Sequence, residues 1–281
     1  MALDHTAAKA TSTEEAAAAV AGSPFWYHTM EVAPGVVTPG WFDLREVVDE
    51  LPWPGVEGKR CLDVGTADGF LAFELERRGA AEVVATDVAD HELWDHPLRA
   101  RERGSAYLRH IAGPKKGVGF EIAHELLGSS VELKQLSIYD LSPAEIGEFD
   151  VIVCGALLLH LRDPLRALDA VRSVCRGQFM STNEVGLRTS LLHRRTPMAR
   201  LNGLTRGQWW IPNRAGHRQM LLAAGFDIDR ETGIYAIPLG EGHPAKRASR
   251  TLGGAGRSAA RRLLMGGDGV AQHALLGHPA L

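Results

Sequence analysis

Cysteine is scarce in this 281-residue chain: Cys61, Cys154 and Cys175 lie far apart, with no CxxC pair among them. That excludes a disulfide scaffold and a paired-thiolate metal site, and leaves three small buried residues in a reducing compartment. No run approaches the ~18 apolar residues of a membrane span. The Ala-rich start, MALDHTAAKATSTEEAAAAVAGS, lacks the basic region and apolar core of a secretory signal, so a cytoplasmic protein with no membrane partner is expected. Twelve histidines bring no HExxH and no paired Cys/His spacing, and the densest polar cluster, Asp87 to His96, reads as a solvated loop; no metal is expected. Internal repeats are also missing. The rest, 45% hydrophobic and 23% charged, excludes collagenous, coiled-coil and wholly disordered chains and is enough for one large domain with arms.

The net charge of −3 conceals a division: 17 Lys/Arg stand against 29 Asp/Glu up to residue 184, and 14 against 5 beyond it. Seven arginines (188, 194, 195, 200, 206, 214 and 218) fall between Val185 and Phe226 without one acid, and a second basic run spans 246–262. Such a surface is either solvated and paired with the acidic half, or made for an anionic acceptor or partner.

From Lys59 onward, short apolar runs alternate with amphipathic stretches, the pattern of a parallel α/β sheet. RCLDVG (60–65), EVVATDV (82–88), VELKQLSIYDL (131–141), FDVIVCG (149–155) and GQFMSTNE (177–184) read as five strands. Helices are expected over 69–78, 120–127 and 164–174, with a basic helical patch near 98–111. Residues 185–211 are a long Gly/Arg/Trp-rich connection, and a connection that long is usually functional. A helix from Pro212 to Ala224 then precedes FDIDRETGIYAIPL (226–239), which reads as an antiparallel hairpin at the sheet edge. The last forty residues, rich in Gly, Ala and Arg, read as a weakly ordered tail.

The chemistry gathers at the strand ends. Asp63-Val64-Gly65-Thr66-Ala67-Asp68-Gly69 is a glycine-bearing strand-to-helix turn whose backbone a cofactor can approach closely. Its Gly-x-x-x-Gly spacing departs from the GxGxxG turn that admits a dinucleotide pyrophosphate, and the acid two residues before the first glycine suits an ammonium group. Asp87, 22 residues after Gly65, ends the second strand where a carboxylate can accept both ribose hydroxyls, with Val88 next to it. Asp140 ends the third, flanked by Tyr139 and by Leu141, whose N–H could read an adenine edge. Gly155 ends the fourth.

These residues resemble the class I S-adenosylmethionine-dependent methyltransferases, through LDVGTADG, VVATDV, SIYDL, FDVIVCGALLLHLRDPLRAL and AAGFDIDRETGIY, over residues 60–239. PGVVTPGWFDLR and GALLLHLRDPLRAL look most like the group related to the tRNA wobble-uridine carboxymethyltransferases. Leu159 stands where that group has a Tyr helping to hold a carboxylated cofactor, which favours the ordinary methyl donor. The resemblance implies a Rossmann-like, doubly wound, mostly parallel seven-stranded sheet with an antiparallel terminal hairpin. It divides the chain into a flexible segment (1–24), an arm or lid (25–58), a methyltransferase domain (59–240, with 185–211 as a substrate-side insertion) and a basic tail (241–281). It also implies S-adenosyl-L-methionine as cofactor, its methionine part lined by Gly65 and Gly69 and its ammonium oriented by Asp63. Asp87 would hold the ribose and Asp140 the adenine amine, with Thr66 and Asp68 completing the turn.

Methyl transfer needs a positioned nucleophile and, where necessary, a base. His160, just past the fourth strand, is the first candidate and His28 in FWYHTM the second. Asn183, Glu184, Trp209, Trp210 and Asn213 are expected to wall the acceptor pocket. The region after the fourth strand has no Asn/Asp-Pro-Pro-Tyr run for exocyclic nitrogen, no Pro-Cys nucleophile and no acid for Mg²⁺. Metal-independent transfer to oxygen of a small acceptor, with an anionic one among the candidates, is therefore expected. The alternatives are a tRNA-modifying methyl- or carboxymethyltransferase and a non-catalytic cofactor-binding scaffold.

Overall fold

The computed structural model describes residues 12–112, 116–202, 207–244, 264–265 and 267–280. The alternation of helices and strands produces a main sheet of eight strands rather than the expected seven: β1 (Arg60–Val64), β2 (Glu82–Asp87), β3 (Glu132–Gln135), β4 (Phe149–Gly155), β5 (Cys175–Glu184), β6 (Phe226–Glu231) and β7 (Val270–Pro279) in the order β6-β7-β5-β4-β1-β2-β3, with a short strand, Tyr235–Ile237, paired to β7 off this path. β1 to β5 are mutually parallel, whereas β7 runs antiparallel to both β5 and β6. The mostly parallel Rossmann-like sheet with antiparallel terminal strands is as expected.

Because successive strand residues face opposite sides, β1 sends Cys61 into one apolar layer and Leu62 and Val64 into the other. The first layer is covered by helices α1 (Thr13–Gly22), α2 (Phe70–Arg77) and α3 (Val118–Leu127), through Val20, Leu71, Leu75 and Phe120. The second is covered by α4 (Pro164–Val174) and α5 (Arg214–Ala223), through Leu168, Val171 and Leu221. Parallel strands covered on both faces read as continuous apolar runs, which is why β1, β2 and β4 are plain in the sequence.

Three expectations are corrected. Phe226–Glu231 and the short strand Tyr235–Ile237 do not form a hairpin; each pairs with a different stretch of β7, Phe226↔Pro279 through Glu231↔Leu275 and Tyr235↔Gln272 through Ile237↔Val270. The final residues are accordingly no loose tail: β7 is inserted between β5 and β6, with Ala274, Leu275 and Leu276 wholly buried. Its residues are small where strands press together, since a side chain at Gly277 would meet the Asp227 carbonyl at 2.4 Å. Residues 245–263 of the expected tail lie outside the described residues. At the other end, the segment expected to be flexible holds α1, started by a Ser12–Glu15 capping box. Trp26 Nε1 then donates to the Val20 carbonyl at 2.9 Å and ties the arm to that helix. No described helix is long and apolar enough to cross a membrane.

Candidate active site

The turn after β1 is shaped by positive-φ residues: Gly65 at 76°, Gly69 at 92° and, without the freedom of glycine, Ala67 at 52°. A strained alanine there is held by its partner, because the Ala67 N–H donates to Asp87 Oδ2 at 2.6 Å while Val88 N–H donates to Oδ1 at 2.6 Å. Asp87 thus fastens the end of β2 to the β1 turn, and each of its oxygens retains acceptor capacity. Burial pushes its carboxyl above the ordinary range, against the pull of those two amides and of Lys116. Asp63 is buried beneath the same turn and accepts from Thr66 Oγ1 at 2.7 Å. Burial raises it to about 7, the Thr66 bond opposing and Asp87 adding to the shift.

Two hollows open beside this turn. A broad cleft of about 1080 Å³ lies at the ends of β2 and β3, lined by Val88, Leu133, Leu136, Tyr139, Asp140 and Lys116. A closer cavity of about 310 Å³ is walled by Asp63, Gly65, Thr66, Gly155, His160 and Glu184, together with residues of the N-terminal arm and Gln272 of β7. Of the expected site residues, Asp63, Gly65, Thr66, Gly155, His28, His160 and Glu184 share the smaller cavity, while Val88, Tyr139 and Asp140 line the cleft.

Seven expected site residues are used differently. Asp68 lines neither hollow; its Oδ2 accepts the backbone N–H groups of Tyr27 and His28, the latter at 2.9 Å, and burial raises it to about 6. It clamps the arm. Gly69 is demanded by packing, since a Cβ there would meet the Phe73 ring at 2.5 Å. The Leu141 side chain belongs to the apolar layer under α4. Asn183 points to the opposite side of β5 from Glu184, as strand alternation requires, and is wholly buried. Asn213 caps α5: its Oδ1 accepts from Gly216 N–H at 2.7 Å and Met198 N–H at 3.0 Å, and its Nδ2 donates to the carbonyls of His193 and Thr196. Trp209 and Trp210 do not wall the cavity but dock the connection, their indole N–H groups donating to the carbonyls of Asp95 and Arg162 at 2.8 and 3.0 Å.

The polar cluster read as a solvated loop is a packed one. His91 and His96 are buried, and His96 Nε2 bonds the His91 carbonyl at 2.7 Å. Asp95 Oδ2 accepts from Tyr139 Oη at 2.6 Å and Arg162 N–H at 2.7 Å, joining the loops after β2, β3 and β4. Among the described residues no group of three or more His, Cys, Asp or Glu is placed to hold one metal ion.

The candidate bases differ in setting. His160 Nδ1 bonds the Gly207 carbonyl, so that nitrogen carries the proton and Nε2 keeps its lone pair. Burial lowers its pKa from the ordinary value, which keeps the ring neutral near pH 7. His28 is buried, its Nδ1 has no partner, and burial lowers it to about 3. Sequence reasoning missed Lys116, Gly207 and Gln272. Lys116 Nζ lies 3.4 Å from the Phe25 ring centroid between arm and turn, lowered to about 8 by burial, with Asp68 and Asp87 opposing. Only a Lys-Lys pair marks it in the chain, and no periodicity marks the other two.

A methyltransferase-domain family matches residues 43–231. The ubiquinone biosynthesis O-methyltransferase of Neisseria meningitidis serogroup C (strain 053442) is 30% identical over 125 residues, 44% of this chain and 43% of that protein. The enzyme of the same name from Acinetobacter baumannii (strain AYE) is 27% identical over 120 residues, 43% of this chain and 40% of that one. The chain thus spans less than half the length of these curated relatives. A chain of the complex between the Haloferax volcanii Trm112 methyltransferase activator and a methyltransferase shares the fold at TM-score 0.51 and 13% identity, over 84% of this chain and 88% of that one. With more than half of its length matched, across the very strands whose ends form the two hollows, this chain belongs to the methyltransferase-domain family.

Proposed function

We propose that the protein transfers a methyl group from S-adenosylmethionine to an oxygen of a small-molecule acceptor bound in the 310 Å³ cavity. The observation that carries this reading is the shared wall: Asp63, Gly65 and Thr66 of the cofactor turn and the neutral His160 border one cavity.

The residues present fit the cofactor. Asp63 is a buried carboxylate whose proton affinity is raised by burial, so an ammonium beside it would return it to the charged form. The free acceptor capacity of Asp87 suits a ribose diol, and the apolar surfaces of Val88, Leu133 and Leu136 with Asp140 at their edge suit a purine. When bound, S-adenosylmethionine supplies an electrophilic methyl group on a sulfonium. The chain's part is then positioning and proton transfer. The arm, clamped by Asp68, holds Tyr27 and His28 over the cavity and excludes water. The Gly207 carbonyl fixes the His160 tautomer, and His160 Nε2 accepts the hydroxyl proton as the oxygen becomes nucleophilic.

Both named curated relatives are O-methyltransferases, which supports oxygen as the acceptor atom. The tRNA reading, drawn from the likeness to the wobble-uridine group, needs basic residues at the site. Arg188, Arg194, Arg195 and Arg200 are exposed, and no described Lys or Arg lines the cavity. The test is calorimetric titration with S-adenosylhomocysteine, NADH serving as control. Micromolar binding, about −8 kcal/mol, is expected for the first alone; no binding of S-adenosylhomocysteine would refute the cofactor assignment.

A further inference from the structure

The tautomer of His160 is set by a residue that cannot hold itself in place. An imidazole in water favours the proton on Nε2, the nitrogen proposed here as the base. In the protein the Gly207 carbonyl accepts from Nδ1, which keeps the proton there and leaves Nε2 its lone pair. Gly207 is exposed and has no side chain, so its carbonyl is held by the residues around it. Gln208 reaches Glu184 at 3.2 Å through a flexible side chain, whereas Trp209 is fastened at three points. Its backbone N–H donates to the carbonyl of Leu159, the residue before His160, at 2.6 Å, and its carbonyl accepts from Asn202 N–H at 2.8 Å. Its indole N–H donates to the Asp95 carbonyl, also at 2.8 Å.

The loop that offers that carbonyl is fixed in turn by the Asp95 carboxylate. Its Oδ2 accepts from Tyr139 Oη at 2.6 Å and from Arg162 N–H at 2.7 Å, and Tyr139 Oη accepts from Asp163 N–H at 3.1 Å. Trp210 closes the junction by donating its indole N–H to the Arg162 carbonyl at 3.0 Å. Asp95 lies 44, 67 and 114 positions from its partners Tyr139, Arg162 and Trp209, so the junction exists only in the folded chain. Tyr139 also lines the broad cleft, and the bonds through Tyr139, Asp95, Trp209 and Gly207 to His160 therefore run from the proposed purine site to the proposed base. Neither Asp95 nor Trp209 lines the small cavity, so each can affect the reaction only through another group.

We infer that Trp209 and Asp95 are positioning residues: the indole N–H of one and the carboxylate of the other hold the connection so that Gly207 keeps the His160 proton on Nδ1, against the ring's own preference. When the junction is cut, water replaces the Gly207 carbonyl and the proton returns to Nε2, leaving no lone pair where the hydroxyl proton must go. The mechanistic value of this device rests on the base role proposed for His160, but the tautomer itself is readable without any acceptor.

Nitrogen NMR of the full chain with isotope-labelled histidine rings tests it, because a protonated ring nitrogen resonates far upfield of a bare one; the His160 signals are those missing from His160→Gln. The native chain, kept alkaline enough for a neutral ring, should show Nδ1–H as the dominant form. Trp209→Phe, which removes the indole N–H and keeps an aromatic ring, and Asp95→Ala should each shift the tautomer ratio toward Nε2–H by about fivefold or more, the equivalent of one lost hydrogen bond. Asp95→Asn, whose amide oxygen can still accept from both donors, should restore most of the native ratio. A cooperative thermal transition reports that each variant is folded, and if either Trp209→Phe or Asp95→Ala lacks one, the other decides. A native ring protonated at Nε2, an unchanged ratio in a folded Trp209→Phe or Asp95→Ala, or equal effects of Asp95→Asn and Asp95→Ala would each overturn the inference. Failure of S-adenosylhomocysteine to bind the native chain would instead strike the underlying functional reading and leave the tautomer result standing.

Discussion

The two walls of the site are assembled in opposite ways. The wall proposed for the cofactor comes from one short piece of chain: β1, its turn and the end of β2 lie within residues 60–88, and Ala67 and Asp87 bond directly. The wall proposed for the acceptor takes His28 from the arm, His160 from the turn after β4, Glu184 from β5, Gly207 from the long connection and Gln272 from the last strand. A wall built locally carries a sequence motif, because neighbouring residues must satisfy one another. A wall built from five distant segments carries none, since each residue is chosen for a partner far away in the chain.

The comparison can be broken most severely through β7. Leu276→Asp puts a charge at a wholly buried position flanked by two strands, and a loss of about 4 kcal/mol or more is expected, seen as loss of soluble protein or of a cooperative thermal transition. A smaller effect confined to one wall is expected of His160→Ala: kcat should fall by about 10²- to 10³-fold on an accepted substrate, with S-adenosylhomocysteine affinity nearly unchanged in calorimetry. Retained turnover would show that the ring is structural. Asp87→Ala should do the reverse on the other wall, weakening S-adenosylhomocysteine by about 1–3 kcal/mol, since it removes both ribose acceptors and the anchor of the Ala67 turn.

The walls should also separate by pH. Asp63, raised to about 7, must lose its proton to face an ammonium, so S-adenosylhomocysteine affinity should rise between about pH 6 and 8 with proton release; equal heats in buffers of different ionisation enthalpy would contradict this. His160 acts as a base in its neutral form and its pKa is lowered, so kcat at saturating cofactor should stay flat to below pH 6.5 while kcat/KM already falls.

The smallest effect is expected behind the sheet. On the face of β5 opposite Glu184, Ser181 Oγ bonds His217 Nε2 at 3.0 Å, and His217 Nδ1 lies 3.2 Å from His273 Nδ1. Burial, with Arg214 and Arg218 adding to it, lowers His273 to about 3. The unfolded chain protonates this residue near 6.5 and the folded chain does not, so stability present above that pH is lost as pH falls toward 3. His273→Gln should flatten the acid limb of stability by about 1 kcal/mol at pH 5.5, read from urea denaturation at pH 5.5 and 8.

Legibility follows the same division. The buried parallel strands β1, β2 and β4 announce themselves as apolar runs, and Asp63, Gly65 and Asp87 follow from where those runs end. β7 escaped notice because the segment before it is rich in Gly, Ala and Arg and its own residues include Gln272, His273 and Gly277, which suit a strand only between two particular neighbours. Asn213 and the two tryptophans look like pocket residues in a basic stretch. The Asn213 amide instead satisfies the backbone of the connection, the two indoles donate to carbonyls in the loops after β2 and β4, and only the fold brings those carbonyls within reach.

By itself, then, the sequence determined the five parallel strands and the glycine-bearing turn after the first of them, because hydrophobic periodicity and glycine conformation are local properties. Tertiary structure alone decided the place of the final strand, the tautomer of His160 and the meeting of Glu184 with Gln272 at the cavity. Each of those depends on a contact between residues more than forty positions apart, His160 with Gly207 and Glu184 with Gln272, and such pairings acquire their energy only once the sheet has closed around them.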